Sequence, residues 1–273
     1  MQILTKKNWF SLISFVMLGC FYLLTQKIIR MKTKTSSGRV KCVANFETLS
    51  TSVTSYGSAY NPSRDALKIS ALTPQLAAGK TVLGTLNTAD AAWHLAVDAR
   101  LDAFKPLSKL ASRVLSAIQS TETTTLVDET AAALVHKLQG RRATPKMTAG
   151  EKQAAEADGK VIVEKSSSQL GFDLRVNTLD ELIKLLGSVT QYAPNENDLK
   201  LAALTVLLTD LKAKNTAVKT AVVALQTARI ACDEVLIKPC TGICPIGKDV
   251  KAYVKSVFGI HSPQYKNISR LKF

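Results

Sequence analysis

Two fourteen-residue stretches, YNPSRDALKISALT from Tyr60 to Thr73 and YAPNENDLKLAALT from Tyr192 to Thr205, agree at seven positions and lie 132 residues apart. Internal repetition restricts the folds open to a chain, because two copies of one unit must bury equivalent surfaces. From Leu201 onward, apolar residues recur at alternating steps of three and four: Leu201, Leu204, Leu208, Leu211, Val218, Val222, Leu225, Cys232 and Leu236. Asn215 and Arg229 occupy the skipped stations. This spacing predicts a long helix with a coiled-coil-like seam, roughly 50 Å in length at about 1.5 Å per residue. Subtracting 132 carries the seam to Ile69, Leu72, Leu76, Gly79, Leu83, Leu86, Asp90, Trp93, Val97, Arg100 and Phe104 with no insertion. The first half therefore predicts the same helix, with Trp93 as the counterpart of Leu225. Pro74 is its expected flaw, since proline removes a backbone donor and crowds the carbonyl of Ser70.

A shorter helix is expected after each long one. PLSKLASRVL, from Pro106 to Leu115, aligns with DVKAYVKSVF, from Asp249 to Phe258, at an offset of 143. The eleven added residues fall in the second turn, which holds PCTGICPIG. Each half reads as a hairpin whose seam is buried only by packing on the other half. The expected fold is all-α, an antiparallel helical bundle built from two pseudo-repeated long-helix hairpins. Residues 40–140 form the first repeat, 141–176 a linker, and 177–273 the second repeat with a carboxyl-terminal tail. Two further helices are expected, one starting at Thr125 with Asp128 three residues on and Gly140 as its stop, the other capped by Asn177 ahead of Asp180.

Residues 1–39 form a separate basic and apolar segment. Sixteen uncharged residues, Trp9 to Leu24, include Trp9, Phe10, Leu12, Phe15, Leu18, Phe21 and Leu24. They lie between Lys6 and Lys7 on one side and Lys27 and Arg30 on the other. The run is slightly short of the roughly 20 residues of a spanning helix. A secretory signal would want a small-x-small cleavage site, and the lipoprotein-like MLGC up to Cys20 is followed by more apolar residues. As a membrane anchor, the segment predicts a body on the cytoplasmic side, because more basic residues follow it than precede it. Alternatively Met31 is the start and the first thirty residues are an over-extension. The expected location is cytoplasmic, with possible anchoring to the inner membrane by this segment.

The formal net charge of +15 raises the question of nucleic acid. Its distribution argues against that partner: residues 1–39 carry +7, residues 248–273 carry +5, and the body between carries only +3. A nucleic-acid surface is expected to be a clustered basic face.

Catalytic patterns are sparse. AAGKT, ending at Thr81, resembles the tail of a phosphate-binding loop, but that loop requires glycine where Pro74 stands. The three histidines, His94, His136 and His261, have no Glu-x-x-His or nucleophile context. Cys240 and Cys244 are the leading chemical candidates. They read as free thiols, as a small disulfide, or as weak metal ligands, since a zinc site would want four ligands in tighter pairs. The odd count of five cysteines is unlike a secreted disulfide framework. No catalytic residue, cofactor or metal is expected, and polar residues on the seams are read as setting register. The tail GIHSPQYKNISRLKF is expected to end the last helix at Gly259, with Pro263 delaying its resumption. Tyr265 and Phe273 are expected to dock on the bundle, leaving Lys266, Arg270 and Lys272 in water.

VKAYVKSVFG, SPQYKNISRLKF and YAPNENDLK together resemble an uncharacterised bacterial family of helical proteins that share this tail. The resemblance covers roughly the second half and implies no function. The leading expectation is a non-enzymatic scaffold or protein-interaction protein acting on an unknown protein partner or on itself. A membrane-active, pore-forming-like helical protein is the first alternative, and a nucleic-acid binder using the basic termini is the second.

Overall fold

In the computed structural model, residues 36–141 and 170–273 are described, together with isolated positions between 148 and 158. Among the described residues every regular element is helical and there is no strand. The α-helices are α1 (Ser36–Ser55), α2 (Ile69–Phe104), α3 (Leu107–Gln119), α4 (Thr125–Leu138), α5 (Phe172–Ser188), α6 (Leu201–Ile237), α7 (Ile243–Phe258) and α8 (Pro263–Ser269). Short 3-10 turns at Gly57–Ala59 and Asp65–Leu67 lead from α1 into α2.

The two stretches with the three-four spacing are the two longest helices, of 36 and 37 residues. On α6 the stations Leu204, Leu208, Leu211, Asn215, Val218, Leu225, Cys232 and Leu236 are buried. Leu201 and Val222 are half-buried and Arg229 is exposed, its neighbour Ala228 being buried instead. On α2, Leu72, Gly79, Leu86 and Phe104 are buried and the other stations are half-buried. Trp93 is half-buried where Leu225 is buried, so the two positions do not have equal environments. Pro74 lies in the second turn of α2, and the helix runs on through it.

Contacts divide the chain into two compact units that do not follow the repeat boundaries. One comprises the described residues up to Gly84 together with Ile230–Phe273; the other is Thr85–Arg229. Each long helix thus contributes to both.

In the Thr85–Arg229 unit, α4 packs on α3 and on α5. Leu107, Ala111, Val114 and Ile118, spaced three and four apart, form the buried stripe of α3. Ala131, Leu134, Val135 and Leu138 of α4 join the same core, as do Leu179, Leu182 and Leu186 of α5. Leu204, Leu208 and Leu211 of α6 complete it. In the other unit, α7 packs on α1 and α8. Cys42, Val43, Phe46, Leu49 and Val53 form the buried stripe of α1, while Ile243, Ile246, Val250 and Val254 serve α7. Gly79, the glycine of AAGKT, is a packing residue here: a Cβ at that position would run into the Ile243 side chain and touch Val43.

Several boundaries differ from the sequence reading. α5 begins at Phe172, inside the segment expected as linker, and its preceding residue is Gly171. Asn177 is therefore internal rather than a cap, and its side-chain amide donates to Glu181 at 2.7 Å. Thr124, not Thr125, stands at the N-cap position of α4, without a capping side-chain bond, and the Thr123 hydroxyl donates to Asp128. Gly140 does end α4: it adopts a φ of +73°, and the Arg141 amide reaches back to the His136 carbonyl at 2.8 Å. That left-handed turn is open to glycine because it has no Cβ.

Leu225 is 3% exposed. Leu225→Ala is expected to lower stability by about 2 to 5 kcal/mol, the range for a leucine truncated in a packed core. Exposed Val206 should tolerate alanine within about 0.5 kcal/mol. Denaturant unfolding of both variants checks the seam, and equal losses would show that it is not the buried face.

Candidate functional site

The opening sequence match encodes a turn. The Tyr60 hydroxyl donates to the Leu67 carbonyl at 2.7 Å, and the Tyr192 hydroxyl donates to the Leu199 carbonyl at 2.8 Å. Both tyrosines and both leucines are buried. Each phenol thus satisfies a carbonyl just ahead of a long helix that the intrahelical ladder does not use. Burial is the main cause raising both phenol pKa values, that of Tyr192 to about 12. Beside the second turn lies an open cleft of about 560 Å³, lined by Ser112 and Ser116 of α3, by Ser120 just beyond it, and by Tyr192, Asn195 and Glu196. Arg113, also on its wall, pairs with Asp198 through both terminal guanidinium nitrogens.

The carboxyl-terminal tail is built against α1 and α7. Gly259, at φ +83°, terminates α7. Pro263 then occupies the first turn of a new helix, where its missing N–H costs nothing, so the chain resumes a helix sooner than expected. The Ser262 side chain caps that helix by accepting from the Tyr265 amide at 3.1 Å. Ile268 is fully buried. Beyond it the Lys251 ammonium donates to the Ser269 and Leu271 carbonyls, each at 2.8 Å, and the Asn45 amide donates to the Lys272 carbonyl. Burial pushes the Lys251 pKa down.

The Phe273 ring meets Phe46 edge-on at 6.5 Å. It also fills the space over Gly247, where a Cβ would come within 2.8 Å of it. Tyr265 is half-buried, whereas Lys266, Arg270 and Lys272 are exposed. Ile268 is the anchor that the sequence does not single out. It stands three residues after Tyr265, but only the new helix turns it onto the body.

The cysteine loop is divided: Cys240 is free, as one reading of it has it, but Cys244 is not. Cys244 is bonded to Cys42 in a disulfide that joins α7 to α1, with Cα atoms 6.6 Å apart. Cys240 is a free, exposed thiol on a left-handed residue, and its carbonyl accepts from Arg64. Cys240 and Cys244 therefore neither pair with each other nor form a thiolate set for a metal. Among the described residues no three His, Cys, Asp or Glu side chains gather as a metal site. Cys232 is free and buried, and burial raises its thiol pKa.

Trp9, Phe10, Leu12, Phe15, Leu18, Phe21 and Leu24 lie outside the described residues. Among those described, no helix is long and apolar enough to cross a membrane.

The polar seam residues fall into two groups. Asp90 sits between His94, at 3.6 Å, and Arg229, at 3.8 Å, with all three side chains well exposed. Asn215, by contrast, is only 4% exposed. Its side-chain amide donates to Asp173 at 3.2 Å, while its carbonyl oxygen is buried without a partner among the described residues. Lys219 also reaches Asp173, at 3.0 Å. In the same unit the Arg100 guanidinium lies 3.9 Å over the Phe172 ring, and that of Arg175 lies 5.3 Å over Phe104. The two rings meet edge-on at 4.9 Å. Arg100 and Phe104 lie on the seam of α2, but nothing periodic marks Phe172 or Arg175 as their partners.

Compared with family models, with curated proteins and with solved structures, the chain matches none.

Two expected outcomes test these features. Removing the Tyr192 hydroxyl with Tyr192→Phe leaves the Leu199 carbonyl buried and unpaired, a loss of about 1 to 3 kcal/mol in denaturant unfolding. Because the folded-state phenol pKa lies above that of the unfolded chain, its contribution is complete below about pH 10 and fades as pH rises through about 12. The alkaline loss of stability should be smaller in Tyr192→Phe. Deleting residues 260–273 should lower the melting temperature, since burial of a side chain such as Ile268 contributes about 1.5 to 3 kcal/mol. Unchanged melting with lost, salt-dependent DNA retention would instead make the tail a nucleic-acid arm.

Proposed function

We propose that the chain is a non-enzymatic helical scaffold that binds another protein or a second copy of itself. The observation that carries this reading is the apolar surface left on the long helices outside their buried seams. Leu95 and Leu101 of α2 and Val206, Val223 and Ile230 of α6 are all exposed, Leu95 and Val206 by about 70%. Val223 and Ile230 are seven residues apart and so share one helix face. Single exposed apolar residues are ordinary, but a repeated face on a long helix is how a helix offers a docking stripe.

In this reading the two halves are pseudo-repeated hairpins, each a long helix with the shorter helix that follows. The paired tyrosine turns support it, with the same hydroxyl-to-carbonyl bond seven residues along the chain at the head of each long helix. The membrane-active alternative rests on Trp9 to Leu24, and the nucleic-acid alternative on the charge at the termini. Anchoring on the cytoplasmic side belongs to the same set of proposals.

A photo-crosslinking residue placed at Val223 or Ile230 of the full chain tests the scaffold. Discrete adducts of one protein species, or of a dimer, are expected from both positions and not from Lys80, which pairs with Glu47. A chain that stays monomeric and uncrosslinked at both positions in its native cells would overturn the reading.

A further inference from the structure

Four arginines of the Thr85–Arg229 unit fall into two pairs. Arg113 and Arg229 have aspartate partners, Asp198 and Asp90. In the other unit Arg39 and Arg64 likewise pair with Asp233 and Asp249. Arg100 and Arg175 do not. Each is half-buried, lies over a phenylalanine ring, and has a buried Nε with no acceptor among the described residues. Among those residues neither has a carboxylate within ion-pair range. Asp173, two residues from Arg175, is already engaged by Asn215 and Lys219.

The geometry holds two like charges on one aromatic pair. Phe104 and Phe172 are 4.9 Å apart, and each carries one of the guanidinium groups on its face. Stacking orients a guanidinium and desolvates one side of it, which strengthens its pull on an anion at the other end. With Nε covered, the donors left to each arginine are its terminal Nη groups, the pair that meets two oxygens of a carboxylate or phosphate side by side. Desolvation lowers the Arg175 pKa, in keeping with a cation that lacks a countercharge. Had these residues served packing alone, an apolar side chain would meet the rings without two unpaired cations.

We propose that Arg100 and Arg175 form a binding site for a small oxyanion, of the phosphate or carboxylate class, held through their Nη groups. The site goes beyond the scaffold reading and does not depend on it, since the exposed face of α6 takes no part.

The test is nuclear magnetic resonance of the full chain, following the arginine side-chain N–H signals during titration with inorganic phosphate and, separately, with succinate. Sodium chloride at matched ionic strength serves as reference. The Arg100 and Arg175 signals should shift and saturate with at least one of the two anions, while those of Arg113 do not. Saturation with phosphate alone assigns the phosphate class, and saturation with succinate alone assigns the carboxylate class. Arg175→Gln should weaken the response of Arg100 at least tenfold, and Arg175→Lys, which keeps the charge and loses the fork, should weaken it less. Circular dichroism identifies a variant that fails to fold, in which case the wild-type titration decides. Shifts no larger than those in chloride, or equal shifts at Arg113, would overturn the site.

Discussion

Burial of one seam along α6 is the constraint on which the rest depends. A helix of 37 residues draws little stability from propensity in water, and most of it must come from packing an amphipathic face. From Leu204 to Leu236 the three-four stations are covered with few exceptions. The helix can therefore run through both compact units without a break, and the short helices are arranged by what they must cover. α3, α4 and α5 close over its first turns and over Phe104, and their stripes converge in one core.

The ends of the long helices pose a different problem, because backbone groups there lack intrahelical partners. Ahead of each long helix a tyrosine satisfies a loop carbonyl, not the helix's own first N–H groups. Tyr60 and Tyr192 place an apolar ring in a core and give their hydroxyl to a carbonyl seven residues on. The exit of α6 is handled by Gly242, where a Cβ would lie within 2.9 Å of the Leu236 and Lys238 backbone. The loop is thereby held tight enough to deliver Cys244 to Cys42. The carboxyl-terminal tail closes the same unit, with Lys251 gathering carbonyls that no helix uses.

Polar groups on the seams take different roles according to depth. Asp90 and Arg229 lie at the surface, where an ion pair contributes little. Asn215 is buried, and its amide donates to Asp173, whose side chain is largely exposed. Arg100 stands between these extremes, half-buried and stacked, and is charged without a partner acid among the described residues.

The sequence by itself determined the all-helical class, the extent of the two long helices and most of the buried stations of α6. It did so because a three-four apolar period is a local property that survives any packing. It also determined that the stretch opening on Tyr60 recurs at Tyr192 and that Gly140 and Gly259 end helices, since left-handed stops are written in single residues. Only the tertiary structure decided that the compact units cut across the repeats, and that Cys42 rather than Cys240 pairs with Cys244. It likewise decided that Ile268 anchors the tail and that Arg100 and Arg175 meet on Phe172 and Phe104. Those outcomes join residues as much as 202 positions apart, and no periodicity reports which distant side chains a packed core brings together.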